Sequence, residues 1–355
     1  METIAVLKEA VDKQVSDIFI IPGLPLSYKT QGYISSQGEE MLKPVDTEKI
    51  INDIYTFAGN RDIGKLISCG DDDFSFSLKG ISRFRVNTYK QRGTLAAVIR
   101  VVSFALPDPQ TLGIPQIVLD LAQKKKGLVL VTGPAGSGKS TTLACMIDLI
   151  NNTRNSHVIT LEDPIEYLHS HKKSIVSQRE ISTDTESYVT ALRAALRQSP
   201  DVILLGELRD HNTISTAMTA AETGHLVLST LHTVGAANTI DRVIDAFPPN
   251  QQSQIRVQLS MVLQAVVSQQ LIPGTRQEEV AAFEIMQVNG AIRNMIRENK
   301  VHQIDTVIYS SADSGMISMD TSLLNLVKNG LISDKDALVY SANPDMLKKK
   351  LAGIS

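Results

Sequence analysis

The sequence predicts an α/β architecture, a parallel sheet preceded by a smaller α+β domain, on three observations. First, short apolar runs recur between helical stretches: GLVLVTG (127–133), HVITLED (157–163), DVILLGE (201–207) and HLVLSTLH (225–232). Continuous β-branched and leucine-rich runs of this length suit strands buried on both faces by covering helices. Second, GPAGSGKST (133–141) stands between the first run and the helix-like STTLACMIDLI. Third, SFALPDPQTLGIP (103–115), with its three prolines and a glycine, separates this texture from a different one upstream.

Upstream, residues 1–102 combine a short amphipathic helix with alternating segments at 17–21, 73–78, 81–89 and 94–102, the last three separated by the turn signals Gly80 and Arg92-Gly93. Period-two alternation with such turns reads as a small antiparallel meander with helices. Residues 103–115 are expected to be a linker and residues 116–271 the nucleotide-binding core. After Pro248-Pro249 the stretch 250–271 and most of the remaining chain, including 336–341 and 344–351, reads as helical, so residues 272–355 are expected to form a mainly helical appendage.

With 355 residues, 43% hydrophobic and 21% charged, the chain can bury two cores. A formal charge of -3 offers no global field for nucleic acid, which weighs against a dedicated nucleic-acid binder. The two cysteines, Cys69 and Cys145, can build neither a disulfide framework nor a four-cysteine zinc site. METIAVLKEAVDKQ lacks the basic-then-apolar pattern of a signal peptide, and no later apolar run is long enough to cross a bilayer. The expectation is a cytoplasmic protein that meets a membrane only through partners.

The candidate site is centred on Gly133, Pro134, Ala135, Gly136, Ser137, Gly138, Lys139, Ser140 and Thr141. Its strand-to-helix setting is the context that a G-x-x-x-x-G-K-[ST] pattern requires. The glycines allow consecutive backbone N–H groups to curl around a phosphate, and the positive helix N-terminus adds a favourable field. Lys139 is placed to meet the β- and γ-phosphates of ATP, and the Ser140 hydroxyl to meet Mg²⁺. Glu162 and Glu207 end two of the apolar runs and supply carboxylates at strand ends. One would serve as general base and the other hold Mg²⁺, partly through water; we assign Glu162 as base and Glu207 to the metal, with the roles exchangeable. His225 and His232 bracket the last run at an odd spacing, which points them to opposite faces of a regular strand and argues against a shared metal. Each has its own role, either structural or, with Thr230 and Thr233, in sensing the γ-phosphate.

The order GPAGSGKST, ITLEDPIEYLH, SPDVILLGELRD, TAAETGHLVLSTLHT resembles the Walker A, aspartate, Walker B and histidine boxes of the secretion ATPase superfamily. That resemblance implies a RecA-like ATPase core, a PAS-like N-terminal α+β domain and a homohexameric ring on the cytoplasmic face of a membrane machine. It also implies catalytic roles for Glu162, Glu207 and His232, and a nucleotide contact for His225. RFRVNTYKQRG (83–93), the lack of a four-cysteine zinc element and AIRNMIRENK (291–300) resemble the type IV pilus retraction branch. The last is similar to that branch's AIRNLIRE signature and departs from it at Met295. By spacing alone it is an amphipathic turn with Ile292, Met295 and Ile296 on one side. Arg83 and Arg85 share a face of the expected meander; with Arg100, the resemblance implies that they enter the neighbouring subunit's site. The implied activity is ATP hydrolysis coupled to pilus retraction and twitching motility, with an inner-membrane pilus platform protein as partner and no nucleic acid. A pilus extension or type II secretion ATPase is the alternative, ahead of a RecA-like nucleic-acid motor.

Overall fold

The first elements are helix α1 (Thr3–Asp12), strands β1 (Asp17–Ile20), β2 (Pro25–Thr30) and β3 (Tyr33–Met41), helices α2 (Pro44–Phe57) and α3 (Gly64–Cys69), and strands β4 (Asp71–Leu78), β5 (Ser82–Gln91) and β6 (Thr94–Val102). The structure, a computed structural model, describes residues 2–30, 33–102, 106–276, 278–311 and 315–353. The strands form a six-stranded sheet in the order β3-β2-β1-β6-β5-β4, antiparallel throughout. Alternation along β5 sends Phe84 and Val86 into the core, where they meet Ile50, Ile51 and Ile54 of α2, and leaves Arg83 and Arg85 on the other face. The expected strands at 17–21, 73–78, 81–89 and 94–102 lie on β1, β4, β5 and β6. Sequence patterning missed β2 and β3: β3 is exposed along almost its whole length, so no alternating apolar face marks it.

The second set begins with α4 (Gln116–Asp120), β7 (Gly127–Thr132), α5 (Lys139–Thr153), β8 (His157–Glu162), β9 (Ile175–Glu180), α6 (Tyr188–Ala195), β10 (Val202–Leu205), α7 (His211–Glu222) and β11 (Leu226–Leu231). It continues with α8 (Ala236–Asp245), α9 (Pro249–Val262), β12 (Leu263–Pro273) and β13 (Glu279–Gln287), and closes with α10 (Gly290–Arg297), α11 (Ile304–Ser310), α12 (Met319–Lys328), α13 (Asp334–Tyr340) and α14 (Pro344–Ala352). The seven strands are ordered β13-β12-β7-β11-β10-β8-β9. All neighbours are parallel except β12 and β13. Residues of one strand feed opposite cores: Leu128 and Leu130 of β7 pack with Ile203 and Leu205 on one face, Val129 and Val131 with Val202 and Leu204 on the other. Burial on both faces is why these segments are continuously apolar.

Several expectations are corrected. Residues 250–271 are not one helix: α9 ends at Val262, and β12 then pairs with both β7 and β13. The boundary expected after residue 271 therefore falls inside β12, and the region beyond it opens with the long strand β13 before its helices begin. The helical appearance of 250–262 carries into a β-branched stretch whose strand character comes from distant partners. Residues 103–105 of the expected linker lie outside the described residues. The rest, 106–115, packs as part of the second unit, with Ile114 buried against its core and the Cys145 thiol donating to the Pro107 carbonyl. Contacts divide the chain into two units. One comprises the described residues up to Val102 together with Pro164–Leu168, the other Leu106–Asp163 and the described residues from His169 onward. Residues 164–168, expected within the core, belong instead to the N-terminal unit.

Candidate functional site

The phosphate loop runs from the end of β7 into α5. Gly138 is the residue before the helix and has φ +83°, a left-handed conformation that strains any side-chain-bearing residue. At Gly133 a Cβ would come 2.1 Å from the Gln269 carbonyl oxygen and 2.6 Å from Ser137 Oγ, so only glycine lets the loop lie against β12. Lys139 is buried at the first position of α5, and its Nζ donates to the carbonyls of Gly133 at 2.9 Å and Pro134 at 2.7 Å. Pro134, Ala135 and Gly136 form the exposed crown of the loop, and Ser140 and Thr141 stand half-buried on the first turn of α5. Ser137 Oγ is buried with no hydrogen-bond partner among the described residues, as is Thr132 Oγ1. An orphaned hydroxyl inside a ring of backbone amides at a helix N-terminus fits a loop built to receive an anion.

The acids stand at the same edge of the sheet. Glu162 is the last residue of β8, and its Oε1 accepts from Thr160 Oγ1 at 2.6 Å and from Gln178 Nε2 at 3.3 Å. Gln178, on β9 directly opposite Thr160, also accepts from the His169 backbone N–H at 2.8 Å. Glu207 lies two residues beyond β10, on a turn held in place by Thr230, whose Oγ1 donates to the Gly206 carbonyl at 2.6 Å. Its Oε1 accepts from Arg209 Nε at 2.6 Å, and its Oε2 lies 3.4 Å from His232 Nε2. The hydrogen bond to Glu207 makes the Arg209 guanidinium still more reluctant to lose its proton. The structure thus brings Glu207 and His232 into contact, a pairing with no signal in the sequence. A Ser140 hydroxyl, carboxylates and nucleotide phosphates are the mixed oxygen donors that Mg²⁺ takes.

His225 stands at the opposite end of the sheet from the phosphate loop. It precedes β11, and its carbonyl accepts from Gly127 at the start of β7, whereas the phosphate loop follows the end of β7. About 20 Å of strand separates the two ends. Its Nδ1 sits 2.9 Å from the Ala220 carbonyl at the end of α7, where an imidazole satisfies helix-terminal oxygen.

Arg83, Arg85 and Arg100 belong to the N-terminal unit. Arg85 and Arg100 are cross-strand neighbours; Arg85 forks onto Asp73 at 2.7 and 3.2 Å, and Arg100 pairs with Asp17 at 3.0 Å. Arg83 donates to Ser75 and Ser77. The two arginines expected on one face do share it. The AIRNMIRENK segment forms α10, with Asn289 capping its start and Ile292 and Ile296 buried.

Sequence reasoning missed Arg209, Gln178, Gln269 and Glu284. Gln269 accepts from Thr142 Oγ1 at 2.7 Å and so ties β12 to the phosphate-loop helix. Buried Glu284 accepts from the backbone N–H groups of Ala236 at 2.7 Å and Met319 at 3.4 Å, at the starts of α8 and α12; its burial raises its pKa, with the two hydrogen bonds opposing. Only Arg209 left a readable signal, as a charge two residues from an acid at a strand end.

A family model for Type II/IV secretion system proteins matches residues 3–330. The type IV pilus retraction ATPase PilT of Pseudomonas aeruginosa is 43% identical over 345 residues, spanning 97% of this chain and 99% of that protein. A twitching motility protein of Neisseria gonorrhoeae is 48% identical over 276 residues, 78% of this chain and 74% of that one. A crystal structure of the pilus retraction motor PilT with bound ADP matches with a TM-score of 0.89 and 46% identity, covering 98% of this chain and 99% of that one. With a glycine-rich phosphate loop and strand-end acids at one sheet edge, the chain belongs to the Type II/IV secretion system protein family and shares its P-loop ATPase fold.

Proposed function

We propose that this chain is the ATP-hydrolysing motor of type IV pilus retraction, working as a homohexamer that acts on an inner-membrane platform protein at the cytoplasmic face. One observation carries the reading: a phosphate loop with Glu162 and Glu207 at the same strand edge, in a chain similar over 97% of its length to a retraction ATPase. Among the described residues no helix is long and apolar enough to cross a membrane, so force would reach the membrane through the partner.

The residues divide the chemistry. The loop amides and Lys139 carry the phosphate charge, and Ser140 and Glu207 would hold Mg²⁺, which supplies charge neutralisation to the β- and γ-oxygens. Glu162, oriented by Thr160 and Gln178, takes the proton of the attacking water as the β–γ bond breaks and ADP and phosphate form. Arg83, Arg85 and Arg100 would reach the γ-phosphate of a neighbouring copy, and His232, beside Glu207, would register its loss. Movement between the two units would then transmit the turnover.

The test is genetic. Deletion of the gene is expected to leave excess surface pili and no twitching, reversed by wild-type protein and not by Lys139→Ala. Loss of pili on deletion would instead identify an extension or secretion ATPase.

A further inference from the structure

Glu207, Leu208, Arg209 and Asp210 form a turn pinned at both ends. The Leu208 N–H donates to the Thr230 carbonyl at 3.1 Å, and the Asp210 carboxylate caps α7 through Asn212 and Thr213. Leu208 is buried between Glu207 and Arg209, whose charged ends meet above it. Arg209 Nε stands 2.6 Å from Glu207 Oε1, and its Nη2 reaches the same oxygen and lies 3.8 Å from Asp163 Oδ2. One guanidinium thus bridges carboxylates that follow two adjacent strands, β8 and β10. The guanidinium holds Oε1 of Glu207, and His232 Nε2 lies 3.4 Å from Oε2. A divalent cation needs those same lone pairs and would sit near the same two negative charges.

We propose that Arg209 is a gate on the metal side of this site: its guanidinium occupies Glu207 in place of Mg²⁺ and must release that carboxylate before it can serve the metal–nucleotide complex. The proposal rests on the reading of Glu207 as the metal-side carboxylate. Arg209 is suited to the task because its side chain is 59% exposed. It can therefore swing into water at little cost, whereas Lys139 is confined by its loop. Its return would favour metal loss after turnover, so the residue acts through Glu207 as a positioning residue and sets how much Mg²⁺ the site requires.

The experiment is a Mg²⁺ titration of the full chain's affinity for a fluorescent ADP analogue, starting from EDTA. It compares wild type, Arg209→Gln and Glu207→Gln. An exposed ion pair of this kind contributes modestly, so Arg209→Gln is expected to lower the Mg²⁺ midpoint about two- to fivefold while metal-free ADP affinity stays at the wild-type value. Glu207→Gln is expected to blunt the metal response. A midpoint unchanged or raised in Arg209→Gln overturns the gate. Reduced metal-free affinity in that variant also overturns it, by assigning the guanidinium to the phosphates. If Glu207→Gln keeps the wild-type metal response, the assignment of Glu207 itself fails, whatever Arg209→Gln does.

Discussion

The ammonium of Lys139 lies 2.7 Å from the carbonyl oxygen of Pro134, in the loop that precedes its own helix. Together with the bond to the Gly133 carbonyl, this fixes the ammonium against the loop's own backbone, so little rotamer freedom remains to be lost on binding. Lys139→Ala should keep the fold, because the loop's shape comes from its glycines and Gln269, but abolish turnover. Near-normal ATPase activity of the purified variant would remove Lys139 from the site.

Glu162 accepts from Thr160 Oγ1 and Gln178 Nε2, which orient its carboxylate. Glu162→Gln keeps the shape and removes the proposed base. Binding of ATP should persist while single-turnover hydrolysis falls about 10²- to 10⁴-fold. A drop confined to affinity, with hydrolysis intact, would transfer the base role to Glu207.

Contact between Gly133 and β12 predicts a backbone-limited phenotype. In Gly133→Ala the new Cβ would meet the Gln269 carbonyl at 2.1 Å, at a φ of +144°. The loop must shift, and the expected cost is about 2 kcal/mol or more in urea unfolding, with loss of nucleotide binding. Unchanged stability and affinity would show that β12 yields freely.

Arg85 is engaged by Asp73 in its own unit. Its action on another copy's nucleotide is testable by mixing. Arg85→Ala and Glu162→Gln proteins should each be inactive alone, and co-assembled rings should regain part of wild-type turnover, because an Arg85→Ala active site can borrow a neighbour's arginine. Mixtures no more active than the two separate proteins would count against action across subunits.

Buried His169 should make stability depend on acid. Burial pushes its pKa down from 6.5 to about 4, opposed by Asp148 and reinforced by Lys172. The unfolded chain therefore binds this proton first as pH falls. The contribution is present in full above pH 6.5 and is lost between 6.5 and about 4, at up to about 1.4 kcal/mol per pH unit. Urea titrations of wild type and His169→Asn at several pH values should show the wild type losing its relative advantage over that interval. Parallel curves would place His169 in water.

By itself the sequence determined whatever is written locally. The phosphate loop follows from glycine spacing between an apolar strand and a helix. β7, β8, β10 and β11 follow from runs apolar enough to be buried twice, and α10 from the spacing of Ile292 and Ile296. Strand-end acids were legible for the same reason, since a parallel strand emerges at the edge where its helix begins. Only the tertiary structure decided what depends on residues far apart in sequence. β12 is a strand because β7 and β13 flank it, although the pattern leading into it is helical. Gln269 reaches Thr142 across that pairing, and Pro164–Leu168 leaves the core to join the N-terminal unit. His225 and His232 look equivalent in sequence, yet a buried strand separates them, so only His232 reaches Glu207. Side-chain partners across a sheet edge are set by register and neighbour order, which no single segment encodes.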